Sequence, residues 1–209
     1  MGNIELLQRR AARDQAFPAR DLGTLQRAID QVNRLSAIVH SLLDVSRIQS
    51  GQLVVELAPL DLCALIRRIV AEYQAALVDR QVVLDCAPPS ALIRGDALRL
   101  EQAFLNLLHN ASHYSAPPAP ISVAIRALAG QVCVDIADQG IGIPASAIPH
   151  LFQRFYRADN ALAQRIGGLG IGLYMARQII DLHGGSIAVA SSERQGSTFT
   201  VCLPAAPPA

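Results

Sequence analysis

Apolar positions in the first fifty residues recur with the spacing of an α-helix. Residues Asn3 to Gln15 favour one helix, Phe17-Pro18 interrupts it, and a second helix is predicted from Asp21 to Ser50, where Gly51 ends it. On this second helix apolar residues repeat at spacings of four and three, typical of a coiled-coil seam: Ala28, Val32, Leu35, Val39 and Leu42. Because such a hairpin usually needs a partner to bury its seam, we expect a homodimer built on a four-helix bundle. Packing of the seam on its own domain is the alternative.

Beyond residue 51 the pattern changes to short strands mixed with amphipathic helices. Strands are predicted at residues 52–57, 82–86, 92–94, 121–127, 131–137, 186–190 and 197–203, and helices at residues 59–79, 96–113 and 171–183. Because strands and helices do not alternate strictly, we expect an α+β fold, a two-layer α/β sandwich, and not a doubly wound sheet. The predicted domains are a helical hairpin (1–50), a sandwich domain (51–204) and a tail (205–209).

The composition of the 209 residues narrows the function classes. The formal net charge is only +1, which gives no electrostatic case for binding nucleic acid or an anionic membrane. All 18 basic residues are arginine, so chemistry that needs a lysine amine, including that of a P-loop lysine, is excluded. No secretory leader opens the chain, and no apolar run approaches the roughly 20 residues of a membrane span. We expect a cytoplasmic chain without direct membrane contact.

The cysteines stand far apart and form no Cys-x-x-Cys pair and no Cys/His ligand cluster: Cys63, Cys86, Cys133 and Cys202. Zinc binding therefore has little support. Most of these residues lie in apolar runs, which favours small buried thiols. Unpaired thiols fit a reducing compartment.

The predicted helix over residues 96–113 carries the first polar group with a chemical interpretation. Asn106 and Asn110 are four residues apart, so both amides project from one face of the helix. Amide oxygens are hard, neutral ligands that suit Mg²⁺, whose coordination is completed by water and nucleotide phosphates. His113 lies near the same face and could meet a phosphate, and Tyr114 could pack on a base. Capping or solvent-facing asparagines are the alternative.

A carboxylate followed by glycines stands at the end of the predicted strand over residues 131–137. Asp138 precedes Gly140, Gly142 and Ile143, and such glycines let the backbone approach a ligand. The carboxylate could accept a hydrogen bond from an adenine amino group. A simple turn is the alternative for this pattern taken alone.

A second glycine-rich stretch runs directly into the predicted helix over residues 171–183. Its glycines, from Gly167 to Gly172, would expose backbone N–H groups at the positive end of the helix dipole and so cradle a phosphate. A dinucleotide-binding fingerprint is excluded, because these glycines follow a polar segment and their spacing is wrong. Gly196, at the start of the last predicted strand, could support this cradle.

In this order the stretches resemble the ATP-binding domain of the histidine kinase branch of the gyrase, Hsp90, kinase and MutL superfamily. The resemblance rests on an asparagine box, a first glycine box, a phenylalanine box, a second glycine box and a closing run, at residues 106–115, 138–143, 151–157, 167–173, 183–186 and 196–199. Residues 33–51 resemble the second helix of the family's dimerisation and histidine-phosphotransfer hairpin. The resemblance implies a Bergerat-type fold, ATP and Mg²⁺ as cofactors, protein-histidine kinase activity and a response regulator as partner.

The resemblance also implies a role for each matching residue. Asn110 would be the principal Mg²⁺ ligand with Asn106 beside it, and Asp138 would hold the adenine. Arg157 and Arg165 would be cationic contacts on a mobile lid that precedes the second glycine box. The remaining implied nucleotide contacts are His113, Tyr114, Gly140, Gly142, Ile143, Gly168, Leu169, Gly170, Ile171, Gly172, Leu173 and Thr198.

The chain departs from the family pattern in three places. No histidine followed by an acidic residue and an Arg-Thr-Pro-like stretch occurs, so we expect the phosphoacceptor on a helix outside this chain, which as given would not phosphorylate itself. His40, on the second helix, is expected to be an ordinary exposed or packed histidine. The family often has Lys or Arg where His113 stands, and a small hydroxyl residue near Leu169. Both differences would weaken ATP binding.

Other functions of the same superfamily remain open at this point. A nucleotide-binding module without kinase activity is disfavoured by the intact Asn110 and Asp138. An anti-sigma-type serine kinase would lack the long hairpin. A gyrase- or Hsp90-like ATPase is disfavoured because its carboxylate base is replaced by the amide of Asn106, which cannot take a proton from water.

Overall fold

The computed structural model describes residues 28, 29, 31, 32, 36, 39, 43, 45–48, 50, 52–88, 90–128, 130–157 and 169–206. The chain divides into two compact units, residues 1–50 and residues 51–209. In the first unit every described residue from 28 to 48 is helical, and the seam residues Val32 and Val39 are 48% and 52% exposed. The first predicted helix, the break at Phe17-Pro18, and the positions of Leu35, His40 and Leu42 lie outside the described residues.

The second unit contains seven strands, numbered along the chain: β1 (Ala58–Asp61), β2 (Val82–Cys86), β3 (Leu92–Gly95), β4 (Ile121–Leu128), β5 (Gln131–Asp138), β6 (Ser186–Ser192) and β7 (Gly196–Pro204). Five of them form one sheet in the order β2-β4-β5-β7-β6. The β2 and β4 strands run parallel, and the other neighbours are antiparallel. In this sheet Asp138, the last residue of β5, lies opposite Ser197 of β7.

A separate two-stranded sheet pairs β1 with β3. The sequence predicted a strand over residues 52–57, but those residues form no regular element and the strand begins at Ala58. Pro59 therefore lies inside β1 opposite Arg94. Proline has no N–H to donate, and β1 tolerates it because this strand has a neighbour on one side only.

Three helices cover one face of the large sheet: α1 (Leu62–Ala76), α2 (Ala97–Tyr114) and α3 (Gly172–Leu182). Asp61 caps α1 as predicted, because its carboxylate accepts hydrogen bonds from the N–H groups of Cys63 and Ala64 at 2.9 and 3.3 Å. Asp96 caps α2 in the same way. The two caps fix where the two helices begin.

The hydrophobic core lies between this helix layer and the large sheet. The α2 helix packs against α1, α3, β4 and β5. Its side chains Phe104, Leu107 and Leu108 are fully buried, and so are Val134 of β5 and Val201 of β7. Two layers, helices on one face of a mixed sheet, confirm the predicted α+β sandwich.

His183, directly after α3, connects the end of that helix to the start of α2. Its side chain is buried, and Nε2 accepts a hydrogen bond from the N–H of Asp96 at 3.0 Å. The Nδ1 atom lies 2.7 Å from the carbonyl oxygen of Ile179 and donates to it. This histidine of the closing run therefore holds α2 and α3 in a fixed relation.

The cysteines differ from the expectation of four unpaired thiols. Cys133 and Cys202 face each other on β5 and β7, and their sulphur atoms are bonded. The expectation is wrong for this pair because residues 69 apart in the sequence become direct neighbours across two strands. The thiol argument for a reducing compartment loses its support. Cys63 and Cys86 are free.

Two searches of the described residues bear on metals and membranes. No group of three or more His, Cys, Asp and Glu side chains that could hold a metal ion lies among them. In the same part of the chain no helix has the length and apolar character needed to cross a membrane.

Candidate functional site

The asparagine pair lies on α2 as the sequence predicted. The side chains of Asn106 and Asn110 are half-buried, and within the described part of the chain neither makes a hydrogen bond to another residue. The ends of α2 are formed by Asp96 and Ser115, so neither asparagine is a cap. Half-buried amides are ordinarily hydrogen-bonded, because leaving them unpaired is costly. These two amides are therefore available to a ligand.

Gly172, the first residue of α3, lies beside the Asn106 amide. A Cβ atom at Gly172 would lie 3.7 Å from both Cγ and Oδ1 of Asn106, which is an ordinary van der Waals distance. The fold would therefore accept a small side chain here. Glycine leaves additional space next to the amide.

Asp138 lies at the other candidate position, and its side chain is 7% exposed. Its Oδ1 accepts a hydrogen bond from the N–H of Gly140 at 2.8 Å. Burial raises the pKa of Asp138, and the N–H groups of Gly140 and Ser197 and the charge of Arg80 act in the opposite direction. A buried carboxylate of this kind is a strong acceptor for an N–H donor.

The loop after Asp138 is attached to the C-terminal end of α2. The N–H of Ile141 donates to the carbonyl oxygen of Tyr114 at 3.0 Å. Gly140 passes so close to the same oxygen that a Cβ atom would lie 2.1 Å from it. Tyr114 therefore holds this loop through its backbone, which the sequence did not predict.

The same loop is attached to β6 further along. The N–H of Ile143 donates to Oγ of Ser191 at 2.9 Å. Gly142 has a φ of +66°, and a Cβ atom there would lie 1.9 Å from the carbonyl oxygen of Ser192. No other residue fits at Gly142 without moving the backbone.

Thr198 lies on the other face of the sheet from Asp138. Residues alternate between faces along a strand, and the outer face of β7 carries Thr200, whose Oγ1 donates to Asp135, and Cys202. Thr198 belongs to this outer series, whereas the buried Ser197 lies directly opposite Asp138. The assignment of Thr198 to the site is therefore corrected to Ser197, because a shift of one residue changes the face of the sheet.

The second glycine box is described from Leu169 onward. Gly170 has a φ of +68°, and its carbonyl oxygen accepts a hydrogen bond from the N–H of Phe155 at 3.0 Å. The phenylalanine box is thereby tied to the start of α3. Ile171 is buried in the core and Leu169 is 42% exposed. Side-chain contact of Ile171 with a ligand is therefore excluded, and only its backbone is available.

Several predicted contacts have positions but no observed partner in a site. Arg157, exposed, ends the described part of the phenylalanine box, and Leu173 is half-buried in the first turn of α3. His113 is exposed one turn beyond Asn110, with Nδ1 2.9 Å from the carbonyl oxygen of His109. Arg165 and Gly168 lie outside the described residues.

Sequence reasoning missed three residues around Asp138, namely Arg80, Ser191 and Ser197. The hydroxyl groups of the two serines lie 3.0 Å apart, and that of Ser191 donates to the carbonyl oxygen of Gly196 at 2.7 Å. The Gly-Ser pair at the start of the last strand was visible in the sequence. Arg80 stands between two elements and had no local signal.

Comparison with known proteins places the chain in a family. Residues 95–207 match the model of the histidine kinase-, DNA gyrase B- and HSP90-like ATPase family. The sensor histidine kinase YkoH of Bacillus subtilis is 36% identical over 80% of this chain and 36% of its own length. The chain spans 24% to 48% of the curated relatives that head the comparison.

Solved structures give the same result for the fold. The mycobacterial sensor histidine kinase MprB superposes with a TM-score of 0.64 at 26% identity, over 73% of this chain and 100% of that chain. The histidine kinase ThkA, solved in complex with the response regulator protein TrrA, has a TM-score of 0.71 at 21% identity, over 98% of this chain and 57% of that chain. With the family match, these likenesses show that the chain belongs to the histidine kinase-, DNA gyrase B- and HSP90-like ATPases and carries the ATP-binding catalytic domain of a sensor histidine kinase.

Proposed function

We propose that this chain binds Mg-ATP between the asparagine face of α2 and the Asp138 loop and transfers the γ-phosphoryl group to a histidine on another polypeptide segment. The observation that carries the proposal is the pair of half-buried amides, Asn106 and Asn110, that make no hydrogen bond to another described residue. In a folded domain such amides need a partner, and a bound nucleotide with its metal ion supplies one.

The adenine end of the site is Asp138. The N–H of Gly140 occupies Oδ1, and the carboxylate accepts the adenine amino group as a second donor. Ser197, opposite Asp138, and Ser191 beside it supply further hydroxyl groups at this end. Because Asp138 is buried, this bond forms with little competition from water.

The metal end is the asparagine face. Asn110 is the principal Mg²⁺ ligand and Asn106 assists it. Among the described residues no cluster of three acidic, histidine or cysteine side chains could hold the ion alone. One or two neutral oxygens from the protein, completed by phosphates and water, fit Mg²⁺. When bound, the ion neutralises charge on the transferring phosphoryl group.

The chain's own residues act by positioning. Asp138 orients the base, and the backbone around Gly170 and Gly172, at the start of α3, faces the phosphates. An amide at Asn106 cannot remove a proton from water, which favours transfer to an imidazole over hydrolysis. Arg157, on the lid, is a cationic contact for the phosphates.

The proposed partners follow from the family and from the hairpin. The acceptor histidine lies on a helix that docks with the kinase domain, and a response regulator receives the phosphoryl group. The complex of ThkA with the response regulator TrrA supports this partner. The exposed seam residues Val32 and Val39 support a homodimer through the hairpin, and a cytoplasmic location completes the proposal.

The test is incubation of the chain with γ-labelled Mg-ATP, alone and with a helical-hairpin domain that carries the acceptor histidine of a relative. We expect no label on the chain alone and acid-labile label on the supplied histidine. Asn110→Ala should remove the label, whereas Arg126→Met, on the outer face of the sheet, should not.

Two other outcomes contradict the proposal. Acid-labile label on the chain by itself would assign an acceptor within it, with His40 as the first candidate. Nucleotide binding without transfer to any of several supplied hairpins would identify a binding module without kinase activity.

A further inference from the structure

Arg80 is a buried arginine without an acidic partner. Its side chain belongs to a residue that is only 9% exposed. Among the described residues no carboxylate lies within ion-pair distance of it, and its guanidinium instead donates two hydrogen bonds to Ser115, to Oγ and to the carbonyl oxygen, both at 2.8 Å. Burying a charge without a counter-ion is costly, so a fold that retains one has a use for it.

Ser115 is the residue at which α2 ends. Its hydroxyl group donates to the carbonyl oxygen of Ala111 at 2.7 Å and is itself the acceptor for Arg80. A cation at this position also complements the negative end of the helix dipole. The guanidinium thus holds the last turn of the helix that carries the asparagine pair.

The residue before Ser115 leads directly to the adenine end of the site. The carbonyl oxygen of Tyr114 accepts the N–H of Ile141 and borders Gly140, whose own N–H binds Asp138. Any shift of the end of α2 is therefore transmitted through two backbone contacts to the loop that orients the carboxylate.

The charge of Arg80 reaches Asp138 as well. Burial raises the pKa of Asp138, and the positive charge of Arg80 is one of the influences that lower it again. Arg80 therefore favours the ionised carboxylate, which accepts an amino group more strongly than the neutral acid does.

We propose that Arg80 is a positioning residue for adenine recognition: it clamps the end of α2 through Ser115, and so fixes the Tyr114 carbonyl and the loop that presents Asp138. This inference rests on the proposed nucleotide site and adds a residue that does not touch the ligand. Both the geometry of the clamp and its charge contribute.

The test measures binding of ADP and of inosine diphosphate, which lacks the exocyclic amino group, by calorimetry. The wild-type chain should prefer ADP. Arg80→Met should weaken ADP binding by about tenfold, the size of one lost charge-assisted hydrogen bond, and bind inosine diphosphate almost as before. Arg80→Lys, which keeps the charge but not the paired donors, should fall between the two.

Matched variants separate positioning from stability. Arg126→Met removes an exposed arginine of β4 that pairs with Asp135 on the outer face, and should leave the ADP preference unchanged. Ser115→Ala removes one of the two acceptors and should reduce the preference less than Arg80→Met does. Thermal unfolding of each variant gives the folded fraction for which the affinities are corrected.

The outcomes are distinguishable. A folded Arg80→Met chain with the wild-type preference for ADP overturns the inference and leaves the nucleotide site intact. Should that variant not fold, an undiminished preference in Ser115→Ala overturns it equally. Failure of the wild-type chain to bind ADP overturns the proposed function itself, and this inference with it.

Discussion

The two glycine boxes contain the same residue type for different reasons. In the first, Gly140 and Gly142 are pressed against carbonyl oxygens, and a Cβ atom would lie only 2.1 and 1.9 Å from them. In the second, a Cβ atom at Gly172 would meet nothing nearer than the Asn106 amide at 3.7 Å. Glycine is required by the fold in the first box, whereas Gly172 keeps space open beside a candidate metal ligand.

This difference separates two kinds of requirement that a sequence pattern combines. Substitution in the first box should act on stability, and binding should be lost with the fold. Substitution of Gly172 should act on binding and leave the fold intact. The comparison therefore predicts opposite results for chemically identical glycine-to-alanine changes.

The largest effect should come from Gly142→Ala. A positive φ and an overlap with the Ser192 carbonyl oxygen act together, and we expect a loss of more than about 3 kcal/mol in the free energy of unfolding. Urea unfolding measures it. Gly130→Ala is the matched control, because Gly130 also has a positive φ but nothing within 4 Å, and it should cost only about 1 kcal/mol. Equal costs at the two positions would contradict the comparison.

Asp138→Asn should lower nucleotide affinity strongly while stabilising the fold near neutral pH. Losing a charged acceptor should weaken ADP binding by about ten- to a hundredfold. Burial raises the pKa of Asp138, so the folded state disfavours the charged form, and stability falls as pH rises through that pKa. Asparagine avoids this loss, and its advantage over aspartate should vanish in acid. Calorimetry and unfolding at about pH 7 and pH 3 test both statements; a variant less stable than wild type at pH 7 would refute the second.

Gly172→Ala should reduce affinity for Mg-ATP by about tenfold with no loss of stability. The added methyl group narrows the space beside Asn106, and each lost metal or phosphate contact costs roughly 1–1.5 kcal/mol. Alanine is the better helix former by up to about 1 kcal/mol, so unfolding should need the same or more urea. Wild-type affinity in this variant would show that the space beside Asn106 is not used.

The smallest effect concerns the face of α2 that contacts α1, remote from both glycine boxes. Burial and the neighbouring His113 lower the pKa of His109, whose ring lies edge-on to Tyr73. A base with a lowered pKa in the folded state gives stability that is fully present above its unfolded value of 6.5 and is lost as pH falls through the folded value. His109→Gln should therefore flatten the decline in melting temperature between about pH 7.5 and pH 5. An equally steep decline would assign it to other groups.

Elements with a local signal were predictable from the sequence. The strand β2 has the predicted bounds, and α2 lies within one residue of its prediction at each end, because hydrophobic period and cap are written in consecutive residues. The strand predicted over residues 52–57 was wrong, since Pro59 suggested the start of a helix and lies instead in β1. Local patterns therefore fixed most elements but not this boundary.

Features that depend on pairing between distant residues were not predictable. The Cys133–Cys202 bond and the choice of Ser197 over Thr198 both depend on the register of β7 against β5. Arg80 meets Ser115, 35 residues later, only after folding. The sequence therefore supplied the boxes of the site, while strand register and long-range contacts decide which side chains support it.

The most direct test of the account is calorimetry of AMP-PNP binding to the wild type, Asn110→Ala and Asp138→Asn, each with and without Mg²⁺. The account predicts separable ends. Asn110→Ala should lose the strengthening by Mg²⁺ and keep the preference for adenine over inosine, and Asp138→Asn should show the reverse. A chain in which Asn110→Ala binds Mg-AMP-PNP as tightly as the wild type would contradict the assignment of α2 as the metal end of the site.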